Sequence, residues 1–155
     1  MRRILSDDDN RIGEWVTARA GGDWVPGSAR CIGLLENEKL VAGVMYDLYN
    51  GANMCLHVAS DLHARAWSDE RFRWAMFHYP FEHVGVKRLT GIFPSANIRV
   101  QQLALRLGFE FEAALKDAHS KGDLLVYRMY ADKCPWIRID KEPQHGQRIE
   151  RAGNA

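Results

Sequence analysis

No run of apolar residues in this 155-residue chain approaches the roughly 20 that a helix needs to cross a bilayer, so no membrane role is expected. The opening "MRRILSDDD" has basic residues but no apolar segment of the kind that directs export, and a cytoplasmic protein is expected. An excess of one charge is missing too. With 21 Lys and Arg against 20 Asp and Glu, the formal net charge is +1, which removes the bulk electrostatic argument for nucleic acid as a partner. Cysteine is scarce: Cys31, Cys55 and Cys134 are an odd count without CxxC spacing, which suits reduced core thiols better than a disulfide framework or a structural zinc site. Cys55, His57 and His63 come nearest to a metal cluster. On a strand that spacing supplies only two ligands, and no second Cys/His pair completes a tetrahedron, so no metal is expected. Internal repeats are lacking as well.

What remains is 46% hydrophobic and 26% charged, the balance of one globular domain with a sizeable core. "RRILS" reads as a short first strand. "SDDDNRIGEWVTARAGG" reads as a helix with Ile12, Trp15 and Val16 at helical spacing and a stop at Gly21-Gly22. Residues 30–35 and 40–49 form a hairpin around a polar turn, with Leu40, Ala42, Val44, Tyr46 and Leu48 on one face. Asn50-Gly51 predicts a tight type I′ turn into "ANMCLHVAS", a further antiparallel strand in which Met54, Leu56 and Val58 alternate with Cys55, His57 and Ala59. "SDERFRWAMFHYPFEHVG" is the principal helix, capped by Ser68, with Phe72, Ala75, Met76 and Tyr79 on one stripe, a kink at Pro80 and an end at Gly85. "KRLTGIF" then follows as a strand parallel to the one before the helix.

In "SANIRVQQLALRLGFEFEAAL", Ser95 and Asn97 are good cap residues, and Val100, Leu103, Ala104 and Leu107 mark a buried face with Arg99, Gln102 and Arg106 opposite. Gly108 ends that helix, and Phe109, Phe111, Ala113 and Leu115 alternate as a half-buried strand would. Residues 110–116 and 124–130 are the last two strands. The boundary is drawn there: residues 1–138 form the domain and 139–155 a polar tail expected to be disordered.

The element order, with "NIRVQQLALRLGFEFEAAL", "FHYPFEHVGVKRLTGIFPSAN" and "GDLLVYRMYADKCPWI", resembles the GNAT superfamily of N-acetyltransferases over residues 30–137. A nearer likeness is to small acetyltransferase-like proteins encoded by bacteriophages. The resemblance implies an α+β GNAT fold, a mixed central sheet of about seven strands with helices on both faces. In that fold the fourth and fifth strands run parallel but splay into a V that accepts acetyl-CoA. The implied reaction is acetyl transfer to an amine of a small molecule or protein; the alternative is a binding or assembly module that keeps the fold without catalysis. A homodimer is among the partners that the resemblance implies. Nucleic acid, reached through Arg148 and Arg151, is argued against by the neutral charge.

The resemblance implies that the pantetheine arm lies along Leu56, Val58 and Ala59, with the Val58 backbone N–H polarising the thioester carbonyl. It places the pyrophosphate at the start of the principal helix, around Arg65, Ala66, Trp67 and Ser68. Two departures stand out. The family's loop carries glycines that let the backbone wrap phosphate, whereas "DLHARAWSDER" has none; Arg65 is left to supply charge-assisted bonds. Asp69 and Glu70 either repel the anion or serve as favourable first-turn residues. The tyrosine that many members place to protonate the departing thiolate is Ala104 here. Asn97 matches the family's asparagine and is either a cap or a cofactor contact.

Transfer to an amine needs a base, because a protonated amine has no lone pair. His57 is the candidate, against the reading of a buried structural histidine; Glu36 and Asp47 are the alternatives. Trp67 either stacks on adenine or seals the core, and Trp15, Trp24 and Trp136 read as packing residues. Removing everything after about Asp140 should leave the melting temperature of the domain unchanged, because that segment has no periodic apolar face; thermal denaturation of the truncated chain checks this.

Overall fold

The structure is a computed structural model that describes residues 1–137; the segment read as a tail lies outside the described residues. Its elements are β1 (Arg2–Leu5), α1 (Asp9–Ala20), β2 (Arg30–Glu36), β3 (Lys39–Asp47), β4 (Asn53–Ser60), α2 (Glu70–His78), β5 (Arg88–Pro94), α3 (Ile98–Leu107), β6 (Glu110–His119) and β7 (Gly122–Tyr130). The strands form one mixed seven-stranded sheet in the order β1-β2-β3-β4-β5-β7-β6. Only β4 and β5 pair in parallel, the connection between them being long enough to carry α2. No helix among the described residues is long and apolar enough to cross a membrane.

Helices cover both faces, as expected. Ile12 and Val16 of α1 pack with Leu5, Cys31, Leu35, Leu40 and Met45 on one side. The helix sits close because Gly43 lies under it: a Cβ there would fall 2.6 Å from Val16 Cγ2. On the other face, Phe72, Met76 and Phe77 of α2 and Leu103, Ala104 and Leu107 of α3 share a larger core with Leu34, Val44, Met54 and Leu56. β3 is therefore buried from both sides, and positions 40–46 are a continuous apolar stretch rather than an alternating one. All three cysteines are free thiols and buried. Burial, with Asp9 nearby, pushes the Cys31 thiol up to about 12, so it stays protonated.

Several local expectations are corrected. The type I′ turn lies at Asn37-Glu38, where both residues have positive φ between Glu36 and Lys39. At Asn50-Gly51 only Gly51 is left-handed; Asn50 instead turns the chain with its side chain, Oδ1 accepting from the N–H groups of Ala52 and Asn53 at 3.0 and 2.9 Å. Leu48 leaves the buried face: β3 stops at Asp47, and Leu48 is 71% exposed at φ +51°. Phe111 and Leu115 are 52% and 43% exposed, because β6 is an edge strand whose register slips twice against β7. The cap of α2 is Asp69, whose Oδ1 accepts from Phe72 N at 3.1 Å, and not Ser68.

Pro80 does more than bend the helix. It lacks the N–H that would bond to the Met76 carbonyl, and α2 gives way to a π-helical turn over Tyr79–Val84 that closes at left-handed Gly85. The Met76 carbonyl is satisfied from below: the Tyr46 hydroxyl on β3 donates to it at 2.6 Å. Tyr46 is fully buried, and burial raises its hydroxyl well above the ordinary phenol range, which keeps it a donor. Tyr46→Phe should therefore cost about 1–3 kcal/mol by orphaning a buried carbonyl. In a Pro80→Ala background, where a backbone N–H becomes available, the same change should cost less; urea denaturation of the double-mutant cycle measures the difference.

Candidate active site

β4 and β5 are paired only at Asn53 with Arg88, Met54 with Leu89 and Cys55 with Thr90. Beyond these positions both strands continue, β4 to Ser60 and β5 to Pro94, but they separate. The gap is a cleft of about 740 Å³ with Leu56 and Val58 on one wall, Gly91 and Phe93 on the other, and α3 beside it. The direction of the β4 backbone follows from its other neighbour. Asp61 N donates to Val41 O at 2.8 Å, continuing the register that pairs Ala42 with Ser60, so odd-numbered residues exchange bonds with β3. The N–H and C=O groups of Leu56, Val58 and Ser60 consequently face the cleft. Those of His57 and Ala59 belong to the β3 ladder.

His57 projects from the opposite face of β4 to Leu56 and Val58, toward the α1 side. Its Nε2 lies 3.0 Å from Asp47 Oδ1 on β3, with side chains 36% and 25% exposed. The two are diagonal neighbours, since Met45 pairs with His57 and Asp47 with Cys55. Two of the three alternative bases thus form one unit. In the neutral ring, a carboxylate acceptor at Nε2 selects the tautomer with the proton there and the lone pair at Nδ1. Glu36 is elsewhere, bonded to Arg2 at 2.9 Å at the β1 edge of the sheet.

The loop after β4 turns without glycine. Arg65 takes the left-handed conformation itself, at φ +50°, and leads into a tight turn over Ala66–Ser68. Arg2 anchors this loop by donating to the Ala64 carbonyl, and lies 3.8 Å from Asp69. Asp69 is thereby engaged as the α2 cap and as a partner of Arg2. Ala66 is buried, Ser68 is exposed, and Trp67 donates from Nε1 to Ser60 Oγ at 3.0 Å while its ring packs 5.6 Å from Phe72. Asn97 caps α3, Oδ1 accepting from Val100 N at 3.2 Å, and also lines the cleft.

Sequence reasoning missed two residues. Arg99 and Arg106, read as the solvent face of α3, border the same cleft as Arg65. All three are exposed, and none makes a side-chain hydrogen bond or ion pair among the described residues. Their spacing on α3, two turns apart on one stripe, was the available signal. The one acid among the described residues at the cleft, Asp61, lies 3.8 Å from Arg19, so the rim they form is positive on balance.

No family model matches the chain, and no curated protein matches its sequence. Solved structures do match. The chain is similar to the spermidine/spermine N-acetyltransferase SpeG from Vibrio cholerae, with a TM-score of 0.66 and 11% identity over 92% of this chain and 96% of that one. It is similar to the ribosomal-protein-S18-alanine N-acetyltransferase from Escherichia coli, with a TM-score of 0.60 and 17% identity over 84% and 94%. An acetyltransferase of the GNAT family from Bacillus anthracis matches at a TM-score of 0.56 and 13% identity, over 66% of each chain. The fold is the GNAT fold. Against that fold, the separated β4 and β5 strands are the V that the sequence resemblance implied, and the glycine-free loop lies at its mouth.

Proposed function

We propose that this chain is an N-acetyltransferase that carries an acetyl group from acetyl-CoA to an amine of a small molecule or protein. The observation that supports it most is the cleft itself, with unpaired β4 backbone groups on one wall and three free guanidiniums at its rim. Its volume of about 740 Å³ suits an extended ligand, and the arginines suit the phosphates of coenzyme A. Leu56 and Val58 would hydrogen-bond the pantetheine arm as an added strand does at a sheet edge. The Val58 N–H is the donor to the thioester oxygen, on which charge develops as the carbonyl carbon becomes tetrahedral. Ala59 contributes by packing, since its backbone is engaged with β3.

Arg65, with the turn through Ala66, Trp67 and Ser68, takes the pyrophosphate end, and Arg99 and Arg106 add charge from α3. Side chains here do the work that glycine-permitted backbone wrapping does elsewhere in the fold. Asn97 is a cap whose amide group reaches the same cleft. His57, oriented by Asp47, is the base that removes the amine proton. A second reading, a module of this fold that binds without turnover, is favoured by Ala104 in the place of the tyrosine.

Calorimetric titration with acetyl-CoA tests the proposal, saturable binding being expected. Arg65→Ala should weaken that binding roughly tenfold to a hundredfold, the loss of one charge-assisted bond worth about 1.5–3 kcal/mol. Unchanged affinity would remove Arg65 from the site. His57→Gln should keep binding and folding while lowering the rate of thiol release with an amine by roughly 10²–10⁴-fold. A less stable variant with normal turnover per folded molecule would make His57 structural instead.

A further inference from the structure

When a thioester gives up its acyl group, the sulfur leaves with the electron pair of the broken C–S bond, and a group that protonates it lowers the barrier. Resting on the acetyltransferase reading above, the cleft can be searched for that group. His57 is held at Nε2 by Asp47 and projects to the α1 side. Ser60 Oγ is bonded to Trp67, and Asp61 lies beside Arg19. Position 104 is an alanine.

Tyr127 on β7 is the one phenol among the described residues that line the cleft. It is only 6% exposed, with Phe93 and Phe111 rings at 5.0 and 5.7 Å from its own. Its hydroxyl has no hydrogen-bond partner among the described residues, yet it is not one of the polar atoms closed off from solvent. A residue so buried ordinarily pairs its polar atom with protein. Here the hydroxyl keeps contact with solvent instead, and the residue lines the cleft. Tyr127 stands opposite Gly91 of β5, and residues opposite one another project to the same face. Gly91 has no side chain of its own there, the nearest being the Phe93 ring at 3.7 Å from where a Cβ would stand, and the small Ala104 lines the same cleft from α3.

We propose that Tyr127 is the acid of the reaction. The amine nitrogen forms its bond to the acetyl carbon and loses a proton to His57. As the C–S bond breaks, the Tyr127 O–H gives its proton to the sulfur. The phenolate then takes a proton from solvent and His57 returns one to it. The products are the amide and the free thiol, with the protein unchanged.

Tyr127→Phe keeps the ring and its contacts with Phe93 and Phe111 and removes only the hydroxyl. Thiol release from acetyl-CoA is followed with spermidine and with an alanine-terminated peptide as amines, using whichever the parent accepts more readily. The expected result is a fall in kcat of roughly 10²-fold or more, with the calorimetric Kd for acetyl-CoA and the melting temperature unchanged. A variant with the parent's kcat overturns the assignment, as does one whose loss of rate is matched by loss of acetyl-CoA affinity or of stability. In either case a working parent leaves the acetyltransferase reading standing. A parent that does not bind acetyl-CoA, or binds it and releases no thiol, overturns both.

Discussion

The backbone of a β-strand carries donors and acceptors along both edges, and each must find a partner or meet solvent. β4 and β5 satisfy theirs against each other at three successive positions and then part, so the rest of each facing edge is unpaired. The separation is stable because each strand keeps a complete ladder on its other side, β4 with β3 and β5 with β7. α3 packs Leu103, Ala104 and Leu107 into the core beside the gap, so the strands can neither close nor collapse. Everything at the site takes its position from this divergence. The β4 amides have a free side, α2 begins beyond the end of β4, and groups from α3 and β7 reach an opening between strands that a fully paired sheet would have closed.

β3 ties the core to the site. Its neighbours Tyr46 and Asp47 project to opposite faces, as consecutive strand residues do. Tyr46 goes into the core and completes the Met76 carbonyl that Pro80 leaves without a donor. Asp47 goes to the other face and holds His57. A shift of one residue in the β3–β4 register would exchange these roles, burying a carboxylate beneath α2 and leaving the imidazole without its partner.

On the proposed reading, the glycine-free loop meets one electrostatic task by different means. Backbone N–H groups gather an anion at short range and need φ values that glycine tolerates best. Here Arg65 accepts the left-handed conformation, and charge is supplied from long side chains at the rim. Exposed guanidiniums are screened by salt and lose rotamer freedom when they bind, so each contributes less than a buried donor would. Asp69 is no obstacle to this arrangement, because it is used as a cap and as a partner of Arg2.

Periodicity made most of the architecture legible. The amphipathic α3, the β2–β3 hairpin, the β4 alternation and the parallel placement of β5 depend on local patterns that tertiary contacts reinforce. Conformations set by competition between neighbours were not legible: the type I′ turn fell at Asn37-Glu38, because the strands on either side of that pair impose their own twist, and Asp69 displaced Ser68 as cap. Phe111 and Leu115 alternate correctly in the sequence, yet only the strand order reveals that β6 is an edge. For the candidate site, the sequence by itself determined which chemical groups exist, an imidazole, several carboxylates, arginines and a glycine-free loop. Tertiary structure decided their partners. His57 and Asp47 are ten residues apart and meet only through a strand register, and Tyr127 reaches the cleft only because β7 lies beside β5 at Gly91. Such pairings are set by long-range hydrogen-bond ladders, and a local pattern in the chain does not encode them.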